Sequence, residues 1–503
     1  MDDANLYRLI ASRFPADPSR PVIEDAQGRL YGWHDMDRMS ARFAATLASL
    51  GCVKGDRIAV QVDKSPEALF LYLACLRGGF VFLPLNTAYR AGEVEYMIGD
   101  AGPAVMVASP AVVADAETAA RRHGCRHVLT LTAGGEGSFP ALVPTAPCPD
   151  VPCAADDVAA ILYTSGTTGR PKGAMLSHRN LAANGEALRT SWAFTAGDVL
   201  LHALPVFHAH GLFVACHCVL LSGARMLWLP AFDQRQVMAC LPRATVFMGV
   251  PTYYTRLLAG ADFTAETCAG VRLFVSGSAP LSPETFLAFR QRTGHAILER
   301  YGMTETGMNT SNPYRGERRP GSVGRPLPGV SVRVAGPEGG ILPPGAVGVL
   351  QVRGENVFAG YWRRPDKTAE DFTPDGWFIT GDLARIDDDG VVTLVGRARD
   401  LIISGGYNVY PREVEQVIDR LEGVVESVVI GLPHPDFGEA VVAIVQARFP
   451  APAPETVMEH ARAHLAKYKV PKAVLFVEAL PRNAMGKVQK NLLRQTHAAE
   501  FAS

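Results

Sequence analysis

Apolar positions recur along the chain with two periods. Met36, Met39, Phe43, Leu47 and Leu50 are spaced 3, 4, 4 and 3 residues apart, the period of a helix with one buried face, and Gly51 stops it. Short apolar runs read as strands at Arg57–Val62, Phe80–Leu85, Val158–Tyr163, Val199–Leu204, Arg225–Leu229, Ala244–Met248 and Arg272–Val275, with a helix over Leu69–Cys75. Strands alternating with helices predict an α/β architecture, a large N-terminal domain of mixed sheets packed with helices. After Pro320 glycine and proline become dense and the strands shorten, as at Val330–Val334 and Val347–Val352, which predicts a distorted β subdomain over about 320–396. Past Gly396 the texture changes again. Pro411 opens a helix through Leu421, strands follow at Glu426–Ile430 and Ala440–Ala447, then a helix at Thr456–Ala466 and a strand at Ala473–Val477. We therefore expect domains at 1–396 and 397–503, the second a small α+β unit, with the boundary at Arg397–Asp400.

The longest apolar run, Leu212–Leu221, is about half of what a bilayer span needs, and it contains His217, so it reads as a buried helix. The opening Met1-Asp2-Asp3 is acidic where an export signal is basic, which points to a cytoplasmic protein with no membrane partner. A length of 503 residues exceeds one ordinary core. The 49 basic and 50 acidic side chains nearly cancel, without the basic excess expected for a nucleic-acid partner. Nine cysteines form no CxxC pair. Cys216, His217 and Cys218, near His208 and His210, are consecutive on a helix and point apart, so they read as core rather than as metal ligands.

The candidate chemistry starts where Val158–Tyr163 runs into YTSGTTGRPKG at Tyr163–Gly173. Three glycines, four Ser/Thr hydroxyls, Arg170 and Lys172 fall within eleven residues. Glycines let backbone N–H groups turn toward an anion, and hydroxyls and cations add contacts, a composition that suits a polyphosphate. Pro171 before Lys172 excludes the Gly-Lys-Ser/Thr helix start of a Walker loop, and the spacing is not that of a dinucleotide fingerprint.

Six further strings stand in order with this loop: LPVFHAHG (Leu204–Gly211), SGSAPL (Ser276–Leu281), RYGMTET (Arg300–Thr306), WFITGD (Trp377–Asp382), GRARDLIISGGYNVYP (Gly396–Pro411) and PRNAMGK (Pro481–Lys487). By these the chain is identified as a member of the adenylate-forming superfamily of acyl-CoA synthetases, peptide-synthetase adenylation domains and luciferases. The resemblance implies that ATP activates a carboxylic acid, that coenzyme A takes the acyl group, and that the small domain is mobile. It implies a phosphate site at Thr164, Ser165, Gly166, Thr167, Thr168, Gly169 and Lys172, and Mg2+ held by Glu305 with support from Thr168. Tyr301 and the Ser276–Ala279 backbone, with Gly277 and Ser278, would flank the adenine, Glu299, Gly302, Met303 and Thr304 would also belong to the cofactor site, and Asp382 would take the ribose hydroxyls with Arg397 assisting. Lys487 would bridge the attacking carboxylate and the phosphate, then leave as the small domain turns about Arg399. Gly405 and Gly406 would lie along the pantetheine arm, and His208 would orient the acid or gate the thiol. Thr168, His208, Glu305 and Lys487 are thus the implied catalytic residues. In bacterial relatives the matching lysine is reversibly acetylated, which implies a lysine acetyltransferase and deacetylase acting on Lys487.

Two arginines narrow the acid. Arg256 follows GVPTYYT and Arg300 precedes Tyr301, both in segments that build the acid pocket of this superfamily. An unpaired guanidinium is costly to bury, but it suits a substrate with a second carboxylate. The strings GVPTYYTR, ERYGMTET and MNTS (Met308–Ser311) resemble those of malonyl-CoA and methylmalonyl-CoA synthetases, which implies a small dicarboxylic acid as substrate, with Ser278 in the pocket and Met308 near its α-carbon. Two alternatives stay open: a ligase for another small acid, and an adenylation enzyme that loads a carrier protein. The short stretch after Lys487 favours free coenzyme A.

Overall fold

The computed structural model describes residues 3–144, 148–164, 171–404, 407–434, 437–483 and 486–498. Four sheets carry the chain. In the first, strands His127–Thr130, Val105–Ala108, Arg57–Gln61, Val81–Pro84 and Val158–Thr164 run parallel in that spatial order, and Lys172–Ser177 closes the edge as an antiparallel hairpin partner of Val158–Thr164. The second sheet has nine strands. Its centre holds Leu298–Met303, Leu273–Ser276, Val246–Gly249, Val199–His202 and Arg225–Trp228 in parallel, while Gly307–Ser311 turns back antiparallel to Leu298–Met303.

Helix Pro66–Gly78 is apolar on nearly every face and lies in the largest hydrophobic core, against residues of both sheets. Its sequence fixes both ends. The Ser65 hydroxyl accepts from the Ala68 N–H, Pro66 takes the first turn, and Gly79 at φ +65° ends it in the left-handed region. Helix Trp33–Ser49 buries the stripe through Met36, Phe43 and Leu47 as the spacing predicts.

The third sheet is the antiparallel set Val330–Ala335, Gly348–Gly354, Phe378–Ile386 and Val392–Arg397. A single turn, Ala398–Asp400, leads from it to the fourth sheet, built on Gly438–Ala447 with Val424–His434, Ile402–Ser404 and Ala473–Val477 around it. Helices Pro411–Ile418 and Pro454–His464 pack on one side of that last sheet over a core of its own.

Two predicted elements differ, one in kind and one in length. The apolar run after His208 begins not as an α-helix but as a π-helix, His210–Cys216, which passes into α-helix His217–Leu220. Cys216 and Cys218 lie in the main core, and His217 bonds the Tyr72 hydroxyl at 2.8 Å. The helix opened by Pro411 ends at Ile418, three residues short of Leu421. Among the described residues no helix is long and apolar enough to cross a membrane.

Candidate active site

Strand Leu298–Met303 organises the site because its residues alternate between two faces. Tyr301 and Glu299 point one way and Arg300 the other. Tyr301 donates its phenol to Asp382 Oδ2 at 2.5 Å, and burial pushes that phenol well above its ordinary pKa, so it stays a donor. Asp382 lies opposite Arg397 in the third sheet, and Arg397 Nε meets Oδ1 at 2.6 Å. The aspartate lies in the middle of Phe378–Ile386. Gly381, at φ +70°, bends the strand without ending it, and the Thr380 hydroxyl accepts from the Asp382 N–H at 3.0 Å. Glu299 is also buried, but its carboxylate accepts from the Gly321 N–H at 3.2 Å and feels the charge of Arg412 of the small domain. Burial raises its pKa to about 7.

Glu305 is buried beside this pair. Its Oε1 accepts from the Thr164 hydroxyl at 3.3 Å and from the Tyr361 phenol at 3.2 Å. Burial raises its pKa, and Arg397 acts on it only through space. Lys172, at the base of the hairpin opposite Thr164, puts its ammonium 3.3 Å from Asp371 Oδ2 and 4.0 Å from the centre of the Tyr361 ring. Met303 and Thr304 complete the turn toward Glu305, with Met303 Sδ 3.9 Å from the Tyr301 hydroxyl. Ser165, Gly166, Thr167, Thr168 and Gly169 of the phosphate loop, and Gly405 and Gly406 of the small domain, lie outside the described residues.

On the other face of the strand, Arg300 is 4% exposed, and its Nε and Nη2 have no hydrogen-bond partner. Among the described residues no carboxylate lies within ion-pair distance of it. Burial lowers its pKa to about 9, so it remains charged at neutral pH. Gly277 makes the space for it, since a Cβ there would lie 2.3 Å from the guanidinium carbon. The next residue, Ser278, is held at φ +70°, a strained value for a side-chain-bearing residue, with its hydroxyl 3.2 Å from His210 Nδ1. The His210 N–H donates to His208 Nδ1 at 3.3 Å. His210 Nε2 and the Ser276 hydroxyl are buried without a partner. Both imidazoles are kept neutral, first by burial and then by nearby positive charge. For His208, to which Lys487 and Arg300 contribute, the pKa falls to about 3.

Lys487 reaches this place from the small domain. Its N–H donates to Asn483 Oδ1 at 3.0 Å, and a Cβ on Gly486 would lie 3.8 Å from the Thr252 hydroxyl, so the loop rests on helix Pro251–Ala259. The residue as a whole is exposed, yet its ammonium lies where Arg397, Asp382, Glu305 and Arg300 all act on it, and burial lowers its pKa. Arg399 sits exposed in the turn Ala398–Asp400. Arg256 is not brought into the cluster: it stands exposed on helix Pro251–Ala259, 6.0 Å from the centre of the Phe232 ring.

Two residues were given no role of their own by the sequence reading. His210 stood within the LPVFHAHG string and beside His208 in the metal reading that was set aside. Asn184 carried no signal, yet its buried amide clamps the backbone of Met308, donating to the carbonyl at 2.8 Å and accepting from the N–H at 3.0 Å. The clamp fits beside Gly307 at φ +56°, and it fixes Met308, whose methyl would lie 2.6 Å from a Cβ on Gly302.

The sequence matches the family described as AMP-binding enzyme over residues 11–362 and the AMP-binding enzyme C-terminal domain over residues 413–487. ATP-bound MatB from Rhodopseudomonas palustris superposes with a TM-score of 0.97 at 50% identity, covering 99% of this chain and 100% of that one. Apo MatB from the same organism gives 0.85 at the same identity and coverage. The mitochondrial malonate–CoA ligase ACSF3 of Mus musculus is 38% identical over 89% of this chain and 83% of that protein. The feruloyl-CoA synthase of an Amycolatopsis species is 36% identical over 93% and 94%.

Proposed function

The chain belongs to the AMP-binding enzyme family, and on that premise we propose that it joins malonate to coenzyme A with release of AMP and pyrophosphate. The observation that carries the choice of acid is Arg300. Its relatives include ligases for an aromatic acid and for a dicarboxylic acid. A buried guanidinium with two unsatisfied nitrogens suits a bidentate carboxylate and opposes an aromatic ring. The distal carboxylate of malonate would lie on Arg300, with the unpartnered His210 Nε2 and the Ser278 hydroxyl beside it. The Asn184 clamp holds Met308 as the wall near the α-carbon, and we extend the reading to methylmalonate because a single methyl is a small addition there. Arg256 stays outside this reading, exposed beside the Phe232 ring.

In the first step the free carboxylate of the acid attacks the α-phosphorus of ATP, and the bond to pyrophosphate breaks. The Lys487 ammonium lies where both anions would meet, which offsets their repulsion. Asp382 retains lone pairs for the ribose hydroxyls while Tyr301 and Arg397 fix its orientation. Neutral His208 cannot add charge, so it positions the acid by hydrogen bonding. Glu305 fits a magnesium site: it is a buried carboxylate with no cation bonded to it among the described residues, and magnesium commonly takes one carboxylate and otherwise phosphate oxygens and water. Held there with support from Thr168, magnesium would neutralise charge on the polyphosphate. In the second step the coenzyme A thiol attacks the acyl carbon and AMP leaves, with the small domain turning about the boundary we place at 397–400.

The test is turnover by purified protein with ATP, magnesium and coenzyme A, offered malonate, methylmalonate, acetate, succinate and ferulate, with AMP and pyrophosphate measured. Malonate is expected to exceed acetate by about 10⁴-fold in kcat/KM, because acetate leaves Arg300 unpaired. Comparable turnover of acetate or ferulate, or release of ADP, would overturn the reading. For the nucleotide, Asp382→Asn is expected to raise the KM for ATP about 10–100-fold, the value of one charged hydrogen bond, while the KM for malonate stays within a few-fold.

A further inference from the structure

We propose that Lys64, in the loop before helix Pro66–Gly78, is a positioning residue for the acid pocket, which it serves by fixing the tautomer of His202 and through it the first turn of the π-helix that carries His210. The inference rests on the reading of the His208–His210 segment as a wall of that pocket.

The Lys64 ammonium meets three acceptors: His202 Nδ1 at 2.7 Å, the His202 carbonyl at 2.8 Å and the Leu229 carbonyl at 2.7 Å. It also lies 4.5 Å from the centre of the Trp228 ring, on which the His202 imidazole stacks at 4.8 Å. Among the described residues no carboxylate pairs with it. Burial pulls its pKa down, but the Gly211 carbonyl 2.9 Å from His202 Nε2 needs a proton on that nitrogen, which leaves Nδ1 as an acceptor and calls for the ammonium form of Lys64.

The consequence falls on His202. An ammonium has no lone pair, so Nδ1 must accept, and the ring of this buried, neutral histidine carries its proton on Nε2. Nε2 stands 2.9 Å from the Gly211 carbonyl and 3.4 Å from Cys216 Sγ. The Nε2–H therefore donates to Gly211, within the π-helix His210–Cys216. Gly211 is pressed so closely on Pro205 that a Cβ there would lie 1.9 Å from the Pro205 carbonyl oxygen. A π-helical turn is a strained, localised device, often found at functional sites, and at Gly211 this one is held from outside by a directed bond. The residue before Gly211 is His210, bonded to Ser278, and its N–H in turn holds His208. The route from Lys64 to the pocket thus runs through two hydrogen bonds to the Gly211 carbonyl, then along the backbone of Gly211 to His210 and the bonds it makes.

The test uses the full chain, with malonate-dependent ATP–pyrophosphate exchange and ¹⁵N NMR of the histidine rings, the His202 signal assigned by its loss in His202→Gln. The wild-type His202 is expected as the Nε2–H tautomer. Lys64→Met should raise the KM for malonate about 10-fold or more and leave that for ATP within about twofold. His202→Phe should do the same, whereas His202→Gln, whose amide nitrogen can occupy the Nε2 position and donate to Gly211, should stay within a few-fold of wild type. A wild-type Nδ1–H tautomer, or an unchanged malonate KM in both Lys64→Met and His202→Phe, would overturn the proposal. Should those variants not fold, the wild-type tautomer still decides it. If wild type lacked malonate-dependent exchange, the substrate reading would fail instead, and the tautomer would still be read independently.

Discussion

Replacing Arg300 with methionine is expected to abolish malonate use while leaving the free protein as stable as before or more stable. Most changes that destroy activity at a buried residue also damage the fold, so the combination is diagnostic. Among the described residues the guanidinium is buried with two nitrogens unpartnered and no carboxylate within ion-pair distance. Its desolvation is not repaid within the protein, as the lowered pKa shows. A methionine of similar length removes that charge and fills the space beside Gly277, a change expected to raise stability by about 1–3 kcal/mol. With malonate the sign reverses, because the charge then has its partner and the variant has none to offer. The expected loss in kcat/KM for malonate is about 10³–10⁴-fold. Thermal unfolding gives a second readout: malonate with ATP should raise the Tm of wild type and not that of Arg300→Met. Arg300→Lys should recover only part of the loss, since an ammonium cannot supply the planar fork. A variant that unfolds at lower temperature yet still uses malonate would show Arg300 to be structural.

Much of the frame was legible in the sequence, for reasons that can be named. Strand Ala473–Val477 has the bounds that its apolar run predicts, and helix Trp33–Ser49 buries the face that the 3-4 spacing marks. These elements follow from local period and from punctuation by glycine and proline. The π-helix was not legible, because its cause is not local. Nothing in HGLFVAC distinguishes a wide turn from an α-turn; what holds it is a histidine from a neighbouring strand and a lysine from another segment of the chain.

The site divides in the same way. Motif order brought together Tyr301, Asp382, Glu305, Arg300, His208 and Lys487 from segments far apart, and the structure places all six in one region. Direction within a segment was less legible. Arg300 and Arg256 carry equal weight as letters in their motifs, but strand alternation turns one inward, while the other falls on the solvent side of a helix. Asn184 could not be found at all, since an asparagine amid a helix becomes a backbone clamp only when Met308 is delivered to it by the antiparallel turn at Gly307.

Lys487→Ala is expected to slow adenylate formation about 10³-fold while sparing the transfer of the acyl group from a supplied malonyl-adenylate to coenzyme A. The split follows from geometry, because the lysine reaches the site only through a loop of the small domain lying on helix Pro251–Ala259, and the second step has no meeting of two anions to relieve. A pH dependence accompanies it. In the free protein burial, Arg397 and Arg300 lower the Lys487 pKa, opposed by Asp382 and Glu305. The ammonium is the active form, so kcat/KM for ATP should fall with rising pH through that lowered pKa, earlier than an ordinary lysine would allow. A bound polyphosphate adds negative charge and shifts the pKa back up, so the corresponding fall in kcat should come at higher pH. The same sign governs conformation: with the lysine docked the site disfavours its proton, so docking without nucleotide is strengthened as pH rises, and nucleotide removes that dependence. Lys487→Arg, which does not titrate in this range, should lose the alkaline fall in both profiles. An alkaline limb that persists unchanged in that variant would assign the titration to another group and leave Lys487 without this role.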